Sequence, residues 1–124
     1  MIQVLTAFPD KVLAFVCKGH VTKRDYETVL IPAVAEALKR PGKLRLYYQV
    51  DADFSGIDPG AMWDDFKVGM EHVLRWERVA VIADVEWIRH TIGFFAFMIP
   101  GLVKVFHLKD AAAARDWITE GMNP

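Results

Sequence analysis

The chain has 124 residues, of which 53% are hydrophobic, and its 15 basic and 16 acidic side chains leave a net charge of −1. That is the size of one domain, 1–124, with enough apolar material for a full core without metals or disulfides. Balanced charge argues against nucleic acid as a partner, because backbone binding needs a net basic face. The longest run without a charge or a histidine, Thr91 to Val103, has 13 residues, short of the about 20 that span a bilayer.

The opening, MIQVLTAFPDK, has no basic region before a long apolar core, so no signal peptide is expected. Two apolar runs, Met1 to Ala7 and Lys11 to Lys18, flank Phe8-Pro9-Asp10 and predict a β-hairpin. Cys17 lies in the second run. It reads as a small core residue and fits a reducing, cytoplasmic compartment. Gly19 and His20 end that strand. Thr22 to Asp25 resembles a capping box with Asp for the usual Glu. Apolar residues at helical spacing then predict a helix from about Val21 to Arg40, which Pro32 should kink or split. The cations Lys39, Arg40, Lys43 and Arg45 read as a solvated helix end.

Leu44 to Val50 predicts a strand, and Asp51 to Gly60 a loop. Asp58-Pro59 opens a second helix with an N-cap and a first-turn proline. Helical spacing lasts to about Trp76. Val79 to Ala83 is apolar on both faces, as an interior parallel strand should be. Asp84 is the expected cap of a third helix, which Pro100-Gly101 ends. Val103 to Phe106 is the last strand, and Asp110 caps a final helix from Ala111 to about Glu120. The order ββαβαβαβα predicts an α/β fold: a mostly parallel five-stranded sheet with an antiparallel edge, flanked by four helices.

The third helix, 85–99, carries more apolar surface than one core can use. At about 100° per residue, Ile88, Ile92, Phe95 and Ile99 fall within roughly 60° of one another and form a core stripe. Trp87, Phe94 and Met98 form a second stripe about 100° away, and Phe97 points opposite the first. Trp63 and Trp87 are expected to flank one sheet edge. These five, Trp63, Trp87, Phe94, Phe97 and Met98, are the candidate contact residues for a ligand or a membrane.

No catalytic or cofactor motif appears. The chain lacks GxGxxG, GxxxxGK, HExxH, GxSxG and any cysteine cluster. His20, His72, His90 and His107 are scattered. Asp51, Asp53 and Asp84 follow strands, where open α/β sheets place ligands, but they read first as loop formers and a cap. No metal and no cofactor is expected, and no enzyme.

The hairpin, DYETVLIPAVAEAL, LRLYYQV, AMWDDFKVGMEHV, RVAVIADVEW and VFHLKDAAAARDWI together resemble the SpoIIAA-like family, a branch of the STAS domains. The resemblance covers nearly the whole chain. It implies a four- to five-stranded sheet with helices around it. STAS anti-sigma antagonists bind a kinase and are switched by phosphorylation of a serine in an Asp-Ser-Ser/Ala-Gly motif. Here the matching place reads Asp58-Pro59-Gly60-Ala61, so the acceptor hydroxyl is missing. The branch is also similar in fold to the CRAL-TRIO/Sec14 lipid-binding domains, whose apolar helices gate a lipid cavity. The expectation is a non-enzymatic module that binds an apolar small molecule or lipid, or associates peripherally with the inner face of the membrane, through a mobile helix 85–99. That helix has only Arg89 and His90, with Lys104 beyond, so by itself it should adhere weakly to anionic lipid. The alternative is a protein-interaction module, a homodimer or an anti-sigma-antagonist-like regulator, that buries the same stripe.

Overall fold

A computed structural model of the chain describes residues 1–61, 73–96 and 101–122, without the side chains of Val73 and Phe95. The strands are β1 (Ile2–Val4), β2 (Val12–Cys17), β3 (His20–Val21), β4 (Leu44–Val50), β5 (Gly56–Ile57), β6 (Trp76–Ile82) and β7 (Leu102–Phe106). The helices are α1 (Lys23–Asp25), α2 (Ile31–Leu38), α3 (Glu86–Phe95) and α4 (Ala111–Ile118). Helical backbone at 59–61 opens the predicted second helix, whose residues 62–72 lie outside the described residues, and Val73–Arg75 at its predicted end form a 3-10 turn.

The main sheet has five strands in the order β1-β2-β4-β6-β7. β1 pairs antiparallel with β2, Ile2 opposite Cys17. The other pairs are parallel, with Phe15 opposite Tyr48 and Arg78 opposite Leu102. The predicted α/β fold, a mostly parallel five-stranded sheet with an antiparallel edge, is the observed one. Alternation along the strands divides the core between the two faces. Leu13, Phe15 and Cys17 of β2 pack with Tyr26, Leu30 and Val34 under the first helical segment, and Ile88 and Ile92 join them from α3. Val12 and Ala14 face the other way, toward Tyr47, Ala80, Ile82 and the inner side of α4, Ala114 and Ile118. Crossover helices therefore cover one face, and α4 covers the other. β6 is buried from Val79 to Ile82, as an interior strand should be.

The first helix is split, as Pro32 required. The backbone from Tyr26 to Leu30 widens to a π-helix, and the Ile31 N–H reaches back to the Tyr26 carbonyl. Pro32 then sits in the first turn of α2, where a missing N–H costs little. The capping box forms as read: the Asp25 N–H donates to Thr22 Oγ1, and the Thr22 N–H to Asp25 Oδ2.

Three boundaries differ from the sequence reading, and a fourth keeps its place without its bond. Val21 is not helical but pairs with Ile57, in a parallel β3–β5 ribbon set inside the predicted helix start and loop. Trp76 begins β6 rather than ending a helix, and it is buried. Asp84 does not cap α3: Val85 holds that position, without a side-chain bond. Asp110 stands at the N-cap of α4, but its carboxylate makes no capping hydrogen bond.

Gly101 enters β7 against the start of β6. A Cβ there would lie 2.3 Å from the Trp76 carbonyl oxygen and 2.7 Å from that of Glu77. Both obstacles are backbone, so the strands themselves would have to part. Gly93 on α3 has open space around it. Gly101→Ala should therefore destabilise by about 1–3 kcal/mol, whereas Gly93→Ala should stabilise by about 0.5–1 kcal/mol through helix propensity. Chemical denaturation of both variants checks the pair, and a neutral Gly101→Ala would contradict the seam geometry.

Candidate functional site

Helix α3 is held from within. Ile88 and Ile92 pack on the core. Arg89 Nη1 donates to the Ala83 carbonyl at 2.9 Å and to the Phe106 carbonyl at 3.1 Å, which ties the helix to the ends of β6 and β7. The opposite side faces solvent. Trp87 is 45% exposed and Phe94 66%. Thr91 lies between them on the same face and bonds its hydroxyl back to the Trp87 carbonyl. An apolar ridge, one residue per turn or two, thus stands on a helix whose exposed side also carries the Glu86–His90 pair at 3.3 Å. The core stripe and the second stripe separate as the periodicity predicts at Ile88, Ile92, Trp87 and Phe94. Trp63, Phe97, Met98 and Ile99 lie outside the described residues, as does the side chain of Phe95.

The parallel strands end at one sheet edge, where two His–Asp pairs form. His20 Nε2 donates to Asp58 Oδ1 at 2.6 Å, and the Lys23 N–H donates to Asp58 Oδ2 at 3.1 Å. His107 Nδ1 and the Leu108 N–H both lie 3.1 Å from Asp84 Oδ1. Each carboxylate serves the start of a helical segment other than the one that follows it in sequence. This is why neither role was visible as a local cap. Asp58 is held below the usual carboxylate range by the His20 hydrogen bond and then by the Lys23 N–H. Asp84 is lowered by the Leu108 N–H and then by His107. Asp53 accepts from the Gly19 N–H at 3.2 Å, a loop-forming role. His72 lies outside the described residues. Among the described residues no group of three His, Cys, Asp or Glu could hold a metal ion.

At the opposite edge, where the parallel strands begin, lies a cleft of about 350 Å³ lined by Lys43, Arg45, Trp76, Arg78 and Leu102 among others. Sequence reading took Arg45 as a solvated cation. It is instead 9% exposed, with its Nε 2.7 Å from Glu77 Oε1 and its Nη1 bonded to the Ile118 and Glu120 carbonyls. Trp117 packs against Phe106 and lies under the guanidinium of Arg78.

A family model described as SpoIIAA-like matches residues 12–119. Among solved structures, the chain is similar to the crystal structure of an uncharacterized protein of the DUF3478 family, with a SpoIIAA-like fold, from Shewanella loihica PV-4. The two are 29% identical, with a TM-score of 0.71, over 95% of this chain and 92% of that one. No curated protein matches. Among the described residues no helix is long and apolar enough to cross a membrane.

The two stripes of α3 should respond differently to the same chemical change. Ile92→Ser should destabilise by about 2–5 kcal/mol, while Phe94→Ser should leave the unfolding midpoint nearly unchanged. Equal losses in denaturant titrations would refute the division. The His–Asp pairs give an acid-side prediction. A lowered carboxylate pKa stabilises the fold above the unfolded value, about pH 4, and that stability is lost as pH falls through the native value. Asp58→Asn and Asp84→Asn should lower Tm at about pH 7, and their deficit should close toward about pH 2.5. A deficit that stays constant across that range would mean the carboxylates contribute no charge-dependent stability.

Proposed function

The chain belongs to the SpoIIAA-like family, and from that premise we propose that it is a non-enzymatic binding module that takes an apolar partner, a lipid or another apolar small molecule or the surface of a membrane, on the outer face of α3. The SpoIIAA-like fold supports a regulatory or binding module. The observation that carries the finer reading is the exposure of Trp87 and Phe94 on a helix already anchored by Ile88, Ile92 and Arg89. Large aromatic side chains that stay mostly exposed on an anchored helix gain free energy on further burial. Trp63, Phe97 and Met98 are assigned to the same surface from the sequence. The described site offers hydrogen-bonded His–Asp pairs and carbonyl-bound arginines, each with a structural task, which is why catalysis forms no part of the proposal.

A second reading has its own support. Leu102, on the edge strand β7, is 58% exposed, and β7 packs against α3. An apolar helix face beside an exposed residue of an edge strand is also what a homodimer or a regulatory protein partner could bury.

Native mass spectrometry on freshly purified protein, with and without added oleate, separates the two. The first reading expects an adduct of a few hundred daltons, or oleate uptake, that is released on denaturation and weakened severalfold in Phe94→Ser. The second expects a monodisperse dimer without adduct, which Phe94→Ser converts to monomer.

A further inference from the structure

We propose that the sheet edge where the parallel strands begin is a docking surface for an anionic lipid bilayer, with exposed aliphatic side chains entering the interface and cations meeting the headgroups. This deepens the α3 reading and rests on it.

The first support is charge that is hydrogen-bonded but not neutralised. Arg40 Nη1 donates to the Asp10 carbonyl at 2.6 Å. Lys43 Nζ donates to the Leu74 carbonyl at 2.7 Å. Arg75 donates to the carbonyls of Leu38, Arg40 and Gly42. Among the described residues none of these three cations has a carboxylate within 4.0 Å. Arg45 and Arg78 are paired with Glu77 and Glu120, so the formal surplus comes from the first three. Only the Arg75 acceptors close an α-helix, and a helix C-terminus as a whole carries about half a negative charge, which leaves the edge positive while the chain as a whole is not.

The second support is apolar exposure among those cations. Leu74 is 70% exposed and Leu102 is 58%. The backbone of Leu74 is the one that holds Lys43, and Leu102 lines the same cleft as Lys43, Arg45 and Arg78. α3 runs from the end of β6 back toward the start of β7, which carries Phe94, in its last turn, toward this edge. The cations that α3 lacks are thus supplied by neighbouring elements. Apolar side chains ringed by Lys and Arg are the pattern that combines partition into the acyl boundary with attraction to acidic headgroups. A nucleic-acid surface would use the cations but leave the leucines in water.

The test is vesicle co-sedimentation of the full chain with phosphatidylcholine vesicles and with vesicles containing phosphatidylglycerol. The proposal expects preference for the anionic vesicles, loss of that preference at high salt, and about a tenfold or larger drop when Arg40 and Lys43 are both changed to Glu. Leu74→Ser with Leu102→Ser should weaken binding severalfold at low salt. Unchanged thermal unfolding of each variant confirms that the fold is kept. Equal binding to both vesicle types, indifferent to Arg40→Glu and Lys43→Glu but lost in Phe94→Ser, would overturn the edge and leave the α3 reading standing. No binding to either vesicle, together with a dimer that Phe94→Ser dissociates, would overturn both. Binding to a short DNA duplex in place of anionic vesicles, lost in the double charge reversal, would overturn the edge as a lipid surface.

Discussion

Strands that run in one direction, joined by helices that run back, collect helix C-termini at one sheet edge and helix starts at the other. The last carbonyls of a helix and the first N–H groups have no partners within it. This constraint sets the chemistry of both edges. Where α2 ends, Arg75 gathers three carbonyls from Leu38 to Gly42. Where α4 ends, Arg45 takes those of Ile118 and Glu120, and Arg78 takes that of Trp117. At the other edge the donors are N–H groups, and carboxylates answer them: Asp58 meets the Lys23 N–H, and Asp84 the Leu108 N–H. Cations at helix ends and anions at helix starts also suit the macrodipole. The fold is polarised although its net charge is −1.

Composition averages over both edges, so a net charge of −1 does not tell which helix ends the cations and carboxylates serve. That polarity also explains the restraint on α3. Arg89 reaches the Ala83 and Phe106 carbonyls at the ends of β6 and β7, so the helix is fixed to the sheet by a polar contact as well as by Ile88 and Ile92. A helix held in this way can carry Trp87 and Phe94 outward without rolling to bury them. The exposed ridge is a consequence of the anchoring, not a failure of packing.

How much of this could be read from sequence depends on the range of the signal. The apolar run around Val12 to Cys17, the all-apolar Val79 to Ile82 and the Thr22–Asp25 box are local patterns, and each produced the element it predicted. The separation of Ile88 and Ile92 from Trp87 and Phe94 needed only the helical period. The β3–β5 ribbon was hidden because two-residue strands carry no periodicity, and Val21 pairs with Ile57 across the first helix. The partners of Arg45 lie 32, 73 and 75 residues away, so nothing beside it in the chain marks it as buried. Asp58 and Asp84 looked like caps of the helices that follow them. They serve helical segments brought near by the sheet, and only the strand order reveals which.

The same contacts bear on regulation. The stretch that resembles the phosphorylation motif of the STAS anti-sigma antagonists reads Asp58-Pro59-Gly60-Ala61 in this chain. The hydroxyl is absent, and a Cβ at Gly60 would already lie 3.0 Å from Lys23 Cδ. The neighbouring Asp58 supplies a permanent negative charge that is used twice, by the Lys23 N–H and by His20. A phosphate switch needs an acceptor, and it works through the change from neutral to anionic at a helix start. Here that stretch has no hydroxyl, and the Asp58 carboxylate already places an anion at the start of α1.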